Sequence, residues 1–348
     1  MHFNTTEKDQ IMSESANPKY RVAIVGCGGI SHAHGNAWRN LSEIEIVGAC
    51  DEKFESLKRF ATEYNVQNTY NDLRQMLEKQ EPDVLVVATW PSSHLKNVLE
   101  AVRCNVKGIL VEKPIAVNTT QLEQMIQVTE KANILLMEAF MYRHHPLTLA
   151  VKQKIEEGAI GEVRYARSTF STGLTDRQNW RLRGDLGGGA VMDLGCYCIN
   201  IIRYLIGREP QSVWATGKFE PINNVWETLI GTLDFGDGIT GQLDCSFGWT
   251  WRESYEVAGT DGTLFVQSAW GNSEGEAHFT VNSETFSVSG VNPYAAEILD
   301  ICQAIDTGVP LRLPIQDALG NMRVIDALHE SASTGQGINI PVQRPENS

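Results

Sequence analysis

Short apolar runs recur at intervals through the first part of the chain and predict buried strands. They occupy residues 21–28, 44–51, 83–89, 108–112 and 134–140. Because nearly every position in them is apolar, they are typical of strands buried on both faces, as in a parallel sheet. Helical patterns separate them at residues 31–40, 55–64, 71–79, 92–105 and 119–132, with a short strand near Thr69. This alternation predicts an α/β domain with a doubly wound parallel sheet.

The pattern changes after about Pro146, where strands begin to follow one another without helices between them. A helix at 147–157, a strand at 162–171, a long polar loop and a helix at 189–206 come first. Further strand-like runs then precede closing helices at 294–306 and 316–333; the runs lie at 212–220, 227–235, 238–247, 254–258, 262–267, 278–281 and 285–289. Asp237-Gly238 and Asp261-Gly262 suit tight hairpin turns. We therefore expect an α+β domain with a mostly antiparallel open sheet.

The length of 348 residues suits two domains better than a single core. The change of pattern divides the chain into residues 19–143 and 144–340. Residues 1–18 are polar, so we expect a disordered leader there, with neither a signal peptide nor a membrane span.

The charge balance excludes some classes of partner. The chain has 29 Lys and Arg against 43 Asp and Glu, which gives a formal net charge of −14. An acidic chain has no general attraction to phosphate backbones or anionic membranes, so we expect neither nucleic acid nor membrane as a partner.

The cysteines indicate a reducing compartment. There are seven, an odd number, most of them lie in apolar runs, and none forms a C-x-x-C pair. We expect reduced, buried thiols in a cytoplasmic protein rather than disulfides. No metal site is expected either, because the adjacent His144 and His145 do not converge on one ion and no cysteine or carboxylate group completes a site.

A glycine-rich turn between the first strand and the first helix predicts a nucleotide site. The sequence GCGGIS at residues 26–31 follows the pattern G-x-G-x-x-G, with Ser31 in the third glycine position. The first glycine allows a tight turn, the second lets the backbone approach a pyrophosphate, and the third position requires only a small residue. The helix N-terminus then offers free N–H groups to the phosphates. The expected contacts come from Gly26, Gly28, Gly29 and Ile30.

Asp51 at the end of the second strand favours NAD as the cofactor. It lies 20 residues beyond Ser31, where a carboxylate can accept hydrogen bonds from the ribose hydroxyls and would repel a 2′-phosphate. Lys53 leaves NADP open, because its ammonium group could reach a 2′-phosphate.

Several motifs together resemble those of the glucose–fructose oxidoreductase, inositol dehydrogenase and rhizopine catabolism family (Gfo/Idh/MocA). They are VGCGGISHAH, Pro91-x-x-His94, EKP at 112–114, EAFMYR at 138–143 and GGGAVMDLGCY at 187–197. The resemblance runs from about Tyr20 to Thr334 and is greatest to the branch with sugar and dihydrodiol dehydrogenases. It implies a Rossmann domain and an NAD(P)-dependent oxidoreductase that acts on a hydroxyl-bearing carbon of a sugar or sugar-like polyol.

The resemblance also implies the catalytic residues. Lys113 is the central one, and its position at the carboxyl edge of the sheet agrees with this role. We expect burial and a nearby pyridinium charge to lower the pKa of Lys113 toward the working range, and the Lys113–Pro114 bond to be cis. Asp193 and Tyr197 are spaced i, i+4 and so share a helix face beside the lysine. Tyr197 acts as proton donor or acceptor, or is a core tyrosine; Asp193 contacts substrate or lysine, or caps the helix.

Other residues are candidates for cofactor contact. Glu112 is an orienting partner more than a proton carrier. His94, after Trp90-Pro91, contacts the cofactor or caps and packs its helix, and Trp90 narrows the pocket. Arg181 meets the cofactor diphosphate or the substrate, or forms a surface ion pair.

Two other functions remain open. One is an NAD-dependent glycosidase, although the histidine-containing pattern of that branch is missing from the helix with Tyr197. The other is a non-enzymatic NAD-binding sensor, which would not need Lys113, Asp193 and Tyr197 together. A homo-oligomer, dimer or tetramer, is expected by analogy.

Overall fold

The chain forms two sheets that share one continuous core, as seen in a computed structural model that describes residues 19–270 and 274–341. The leader expected at 1–18 lies outside the described residues.

The first sheet is parallel and doubly wound, as predicted. Its strands are β1 Tyr20–Val25, β2 Ile44–Cys50, β3 Thr69–Tyr70, β4 Val84–Val87, β5 Gly108–Glu112 and β6 Leu135–Ala139. They lie in the order β3-β2-β1-β4-β5-β6, with every pair parallel. The order reverses between β1 and β4, and in such sheets the ligand binds in the crevice beyond the carboxyl ends at that point.

Helices follow these strands with bounds close to those predicted. They are α1 Gly29–Trp38, α2 Phe54–Glu63, α3 Leu73–Gln80, α4 Pro91–Arg103 and α5 Thr119–Ala132. Local sequence starts several of them: Asp72 accepts a hydrogen bond from the Gln75 N–H, and Asn118 accepts one from the Gln121 N–H. Pro91 occupies the first turn of α4, where its missing N–H costs nothing.

The second sheet has nine strands and is mostly antiparallel, as predicted. After helix α6 Pro146–Glu156, the strands are β7 Val163–Gly173, β8 Ser212–Glu220, β9 Val225–Asp234, β10 Thr240–Ser246, β11 Gly248–Gly259, β12 Thr263–Val266, β13 Glu276–Val281, β14 Glu284–Ser289 and β15 Ile338–Asn339. Their order is β14-β13-β12-β11-β7-β10-β9-β8-β15, and β7 and β10 run parallel. Asp237-Gly238 lies between β9 and β10, and Asp261-Gly262 between β11 and β12, as predicted.

Strand β11 is longer than the predicted strand at 254–258. Its pairing with β7 shifts between Gly248, opposite Gly173, and Arg252, opposite Ser171. This bulge interrupts the alternation of buried and exposed residues, so the sequence pattern did not reveal the first part of the strand.

The helix predicted at 189–206 begins differently. Val191–Gly195 forms a π-helical turn, and the α-helix α7 occupies Cys196–Ile206. The stretch Gly184–Ile206 is apolar enough to cross a membrane, but 89% of its most apolar window is buried inside the protein. It is a core helix.

The closing helices are α8 Pro293–Thr307 and α9 Ile315–Thr334. Helix α8 returns to the first sheet: the Tyr20 hydroxyl donates to Asp306 at 2.6 Å, and Ile301 packs over Gly108. The sequence pattern gave no sign of this return.

All seven cysteines are free thiols, and only Cys104 among them is not buried.

Candidate active site

The glycine turn between β1 and α1 leaves an open cradle. Gly26 has φ +92°, and a Cβ there would lie 2.5 Å from the Ala88 carbonyl oxygen, so the turn requires glycine. A Cβ on Gly28 or Gly29 would meet no protein atom within 4 Å, and no side chain caps α1. With Ile30 half-buried in the first turn, the free N–H groups therefore face accessible space. This arrangement fits a dinucleotide pyrophosphate.

Asp51 lies against this turn. One carboxylate oxygen accepts the Cys27 N–H at 2.7 Å, and the other accepts the Lys53 N–H at 2.7 Å. The Lys53 ammonium lies 5.1 Å from the ring centroid of Trp90, which is partly exposed. Asp51, the carboxylate predicted to lie beside the ribose, is thus next to the turn. Lys53, the cation that leaves NADP open, lies there too.

Glu112 is an orienting residue in the structure. It is buried, its Oε1 lies 2.8 Å from His34 Nε2, and its Oε2 accepts the Lys113 N–H at 3.2 Å. Its burial and its pairing with His34 favour the expected orienting role over a direct contact with a cofactor. Sequence reasoning missed His34, although its position in the first helix after the glycine turn was visible.

Lys113 is held by Asp193 across 80 positions of sequence. Its Nζ donates to the Asp193 carboxylate and to the Asp193 backbone carbonyl, each at 2.9 Å, and lies 4.9 Å from the ring centroid of Tyr197. The lysine follows β5 at the carboxyl edge of the sheet, and its bond to Pro114 is cis, as predicted. Asp193 and Tyr197 therefore do share the face beside the lysine, even though Asp193 lies in the π-helical turn.

Within the protein alone, the pKa of Lys113 is raised, opposite to the lowering that its burial would give. Burial is the largest single influence and lowers the pKa, but the charge of Asp193, the nearby Cys196 and the hydrogen bond to Asp193 together raise it, so the net direction is upward. For Asp193, burial raises the pKa, whereas Lys113 and Arg181 together hold it below its ordinary value. The pair is thus an ammonium and a carboxylate at neutral pH.

Arg181 joins this ion pair. It lies in the 3-10 turn Trp180–Leu182, and its Nε donates to the second Asp193 oxygen at 2.7 Å. The structure thereby brings Arg181 to the catalytic candidates, and its side chain remains partly exposed to the cleft. A cofactor or substrate contact from its exposed part stays a prediction.

The three glycines at 187–189 serve the loop itself. A Cβ on Gly187 would lie 2.8 Å from the Pro91 Cβ, one on Gly188 would lie 2.5 Å from the Arg181 carbonyl oxygen, and Gly189 has φ +124°. The loop therefore needs these glycines to pack on α4 and on its own turn.

Tyr197 lies in an aromatic cluster. Its ring is within 5.2–5.6 Å, centroid to centroid, of the rings of Phe140, Tyr142, Phe170 and Trp270. Its hydroxyl contacts the Met141 sulfur at 3.9 Å, and burial raises its pKa well above its ordinary range. Tyr197 therefore packs in the core beside Lys113, as one of the two expected roles required. Its role as proton donor or acceptor stays a prediction.

His94 is fully buried, and both ring nitrogens lie next to backbone carbonyls. Nε2 lies 3.0 Å from the Thr89 oxygen and Nδ1 lies 3.1 Å from the Ile115 oxygen. This geometry favours the packing role over the expected cofactor contact. His94 connects the end of β4 to the turn after Lys113.

The described residues include no group of three or more metal-ligating side chains.

Two family models match the chain. An NAD-binding Rossmann model of an oxidoreductase family matches residues 20–140, and the Gfo/Idh/MocA C-terminal domain matches residues 148–265. The chain belongs to the Gfo/Idh/MocA family. The resemblance inferred from the motifs is confirmed, and the protein is an NAD(P)-dependent oxidoreductase.

Relatives of known activity cover most of the chain. A D-xylose 1-dehydrogenase (NADP⁺) from Haloferax volcanii is 29% identical over 91% of this chain and 98% of its own length. A trans-1,2-dihydrobenzene-1,2-diol dehydrogenase from Danio rerio is 28% identical over 71% of this chain and 74% of its own. A 3-ketoreductase from Actinomadura kijaniata, solved with NADP and TDP-benzene, has TM-score 0.84 and 25% identity over 90% of this chain and 98% of its own.

Proposed function

We propose that this oxidoreductase transfers hydride between nicotinamide and a hydroxyl-bearing carbon of a sugar or sugar-like polyol, with Lys113, Asp193 and Tyr197 at the reacting centre. The observation that carries the proposal is the Lys113 ammonium, which Asp193 holds in place over the Tyr197 ring at the carboxyl edge of the first sheet. The relatives named for xylose and dihydrodiol oxidation support this substrate class.

The chemistry follows from the charges. When bound, the cofactor supplies the nicotinamide carbon that accepts or gives up the hydride. In reduction, the Lys113 ammonium hydrogen-bonds the substrate carbonyl oxygen, stabilises the negative charge that develops as the hydride arrives, and gives that oxygen its proton; the effect is larger in a cleft with little water. In oxidation, the neutral Lys113 amine accepts the proton of the substrate hydroxyl as the hydride leaves. Asp193 keeps the lysine in position and raises its pKa. Tyr197 orients the substrate through its ring and hydroxyl.

The cofactor lies along the open turn in this proposal. Gly26, Gly28, Gly29 and Ile30 present their backbone to the pyrophosphate, and Asp51 accepts hydrogen bonds from the ribose. Trp90 and Pro91 begin α4 just beyond the carboxyl end of β4, and the partly exposed Trp90 narrows the pocket over the cofactor. The negative charge of Asp51 favours NAD over NADP.

We further propose that the exposed face of the second sheet pairs with a second copy of the chain. It carries exposed Trp214, Ile230 and Phe265 among charged pairs such as Arg167–Glu256 and Arg252–Asp244. Light scattering should show a dimer or tetramer, and Trp214→Glu should yield smaller species, whereas Ile222→Glu at an exposed position off the sheet should not. A monomeric wild type would contradict this.

The unpaired thiols support a cytoplasmic location.

The experiment is a panel of ring sugars, polyols and aryl glycosides with NAD and NADP, monitored by absorbance of the reduced cofactor. Reduction of cofactor by a sugar or polyol is expected. Tight cofactor binding without turnover of any compound would indicate the sensor instead. Release of an aglycone without net cofactor reduction would indicate the glycosidase.

A further inference from the structure

The aromatic cluster around Tyr197 continues outward to an exposed indole. Phe170 lies 5.6 Å from Tyr197, and Trp251 lies 5.7 Å from Phe170, ring centroid to ring centroid. Trp270 contacts both Tyr197 and Phe170, at 5.2 and 5.8 Å, and is buried. Trp251 is 63% exposed. A continuous series of rings therefore leads from Lys113 to an accessible tryptophan.

The bulge in β11 positions this tryptophan. Five residues of β11, Gly248 to Arg252, lie opposite three of β7, Ser171 to Gly173, so the chain between the paired residues is longer than the partner strand requires. Arg252 is held on the exposed face of the sheet by Asp244 at 2.8 Å. Trp251 instead contacts Phe170, on the face that packs against α7. Bulges commonly redirect a side chain beside a site in this way.

A carboxylate lies next to the indole. Glu253 is partly buried between the Trp251 side chain and the Trp270 backbone. Burial raises the pKa of Glu253, and hydrogen bonds from Trp270 and Trp251 lower it by less. No ion pair of the described residues involves Glu253, unlike Asp244 and Glu256 on the same sheet. Glu253 and Trp251 line one cavity, to which Phe265 and the ion-paired Arg167 and Arg252 also contribute.

We propose that Trp251 and Glu253 form a specificity subsite for an uncharged cyclic sugar: the indole stacks on the apolar C–H face of the ring, and the carboxylate accepts its hydroxyl groups. This rests on the proposed function and narrows its substrate class. A flat indole buries a large area at little cost in side-chain freedom. Hydrogen bonds to an ionised acceptor are the stronger kind.

The same two residues disfavour other sugar-like compounds. An open-chain polyol has no flat face for the indole and must lose internal rotations on binding. A sugar acid or nucleotide sugar would bring negative charge toward partly buried Glu253, where like charges repel more strongly than in water. The subsite therefore selects neutral rings from the wider class of hydroxyl compounds.

The test compares an aldopyranose with the alditol of the same carbon number, using the holoenzyme. Trp251→Ala should raise KM for the ring sugar about tenfold, the scale of one lost aromatic contact, with little change in kcat. The KM for the alditol should change little, and Trp251→Phe should restore part of the ring preference. Phe219→Ala removes an exposed aromatic residue of β8 that lies outside the cavity lined by Trp251 and Glu253, and it is the control.

Glu253→Gln provides the second arm. It should weaken binding of the neutral ring and narrow the discrimination against the matching sugar acid, as measured by calorimetric titration. An unchanged KM for the ring sugar in Trp251→Ala, with Lys113→Ala still inactive, would overturn the subsite and leave the proposed function intact. Absence of ring-sugar binding to the wild type would also overturn it. If the wild type oxidised only alditols, the subsite would be overturned as well, whereas the proposed oxidation of hydroxyl-bearing carbons would be supported.

Discussion

The two ends of the cleft are built in different ways. The nucleotide turn uses the backbone of one short segment, Gly26 to Ile30, with Asp51 hydrogen-bonded to it. The reacting centre uses side chains from three separate segments, which meet where Lys113, Arg181 and Asp193 form one ion cluster. A contiguous backbone motif can be recognised in a sequence, whereas a cluster of distant side chains becomes visible only in the fold. Substitutions should therefore separate cofactor binding at one end from reaction rate at the other.

The largest effect is expected at Lys113. Lys113→Ala should lower kcat at least about a hundredfold, because positioned acid–base groups contribute roughly 10²–10⁴. Cofactor affinity, measured by fluorescence titration, should remain nearly unchanged, since the turn and Asp51 hold the cofactor. Lys107→Ala, which removes an exposed lysine just before the other end of β5, is the matched control. A kcat within a few-fold of wild type would exclude Lys113 as the proton-handling group.

Substitution of Gly28 should weaken cofactor binding, whereas substitution of Lys113 lowers kcat. Gly28→Val adds a Cβ that meets no protein atom within 4 Å apart from its chain neighbours, so the melting temperature should change little. Hydrogen bonds to charged groups contribute about 1.5–3 kcal/mol each, so obstructing one should weaken cofactor binding at least about tenfold. Gly26→Ala is the contrasting variant, because its Cβ would clash with the Ala88 carbonyl and destabilise the fold. Normal cofactor affinity in Gly28→Val would place the pyrophosphate elsewhere.

Asp51 should set the cofactor preference. We expect kcat/KM to be higher with NAD than with NADP, and Asp51→Ser combined with Glu52→Arg should narrow or invert the ratio. Glu52→Ser alone removes a neighbouring exposed acid and should leave the ratio nearly unchanged. A wild-type preference of about tenfold for NADP, or about 1.4 kcal/mol, would show that Lys53 outweighs Asp51.

Among the substitutions at Lys113, Gly28, Asp51 and Tyr197, the one at Tyr197 should have the smallest effect on activity. Its hydroxyl contacts Met141 and its pKa is raised by burial, so Tyr197→Phe should reduce kcat only several-fold while keeping the ring beside Lys113. Steady-state kinetics on the same substrate as for Lys113→Ala tests this. A loss as large as that of Lys113→Ala would mean that the hydroxyl itself transfers the proton.

Much of the fold could be predicted because local pattern and tertiary structure agree in it. The apolar runs gave the parallel strands, and the position of Lys113 beyond β5 gave the edge at which the site lies. The family resemblance, rather than any pattern, identified Asp193 and Tyr197.

The rest depends on contacts between distant positions. Nothing near Arg181 in the sequence points to Asp193. His94 has the same neighbours in the sequence whether its side chain packs in the core or contacts the cofactor. The bulge before Arg252 breaks the alternation that would have revealed the strand carrying Trp251. The upward shift of the Lys113 pKa arises from the neighbouring Asp193 charge, which burial alone would not predict.

The pH dependence of turnover in Asp193→Asn tests whether Lys113 carries the proton. Asp193 holds the Lys113 pKa above its ordinary value, and without that charge burial and Arg181 both lower it. Oxidation needs the neutral amine to accept the substrate proton, so its rate in wild type should rise with pH into the alkaline range. In Asp193→Asn that rise should move to lower pH, and the fall of the reductive rate should move with it. Asp185→Asn, which removes an exposed carboxylate paired with Arg183, should shift neither profile. Identical profiles for wild type and Asp193→Asn would contradict Lys113 as the group that carries the proton.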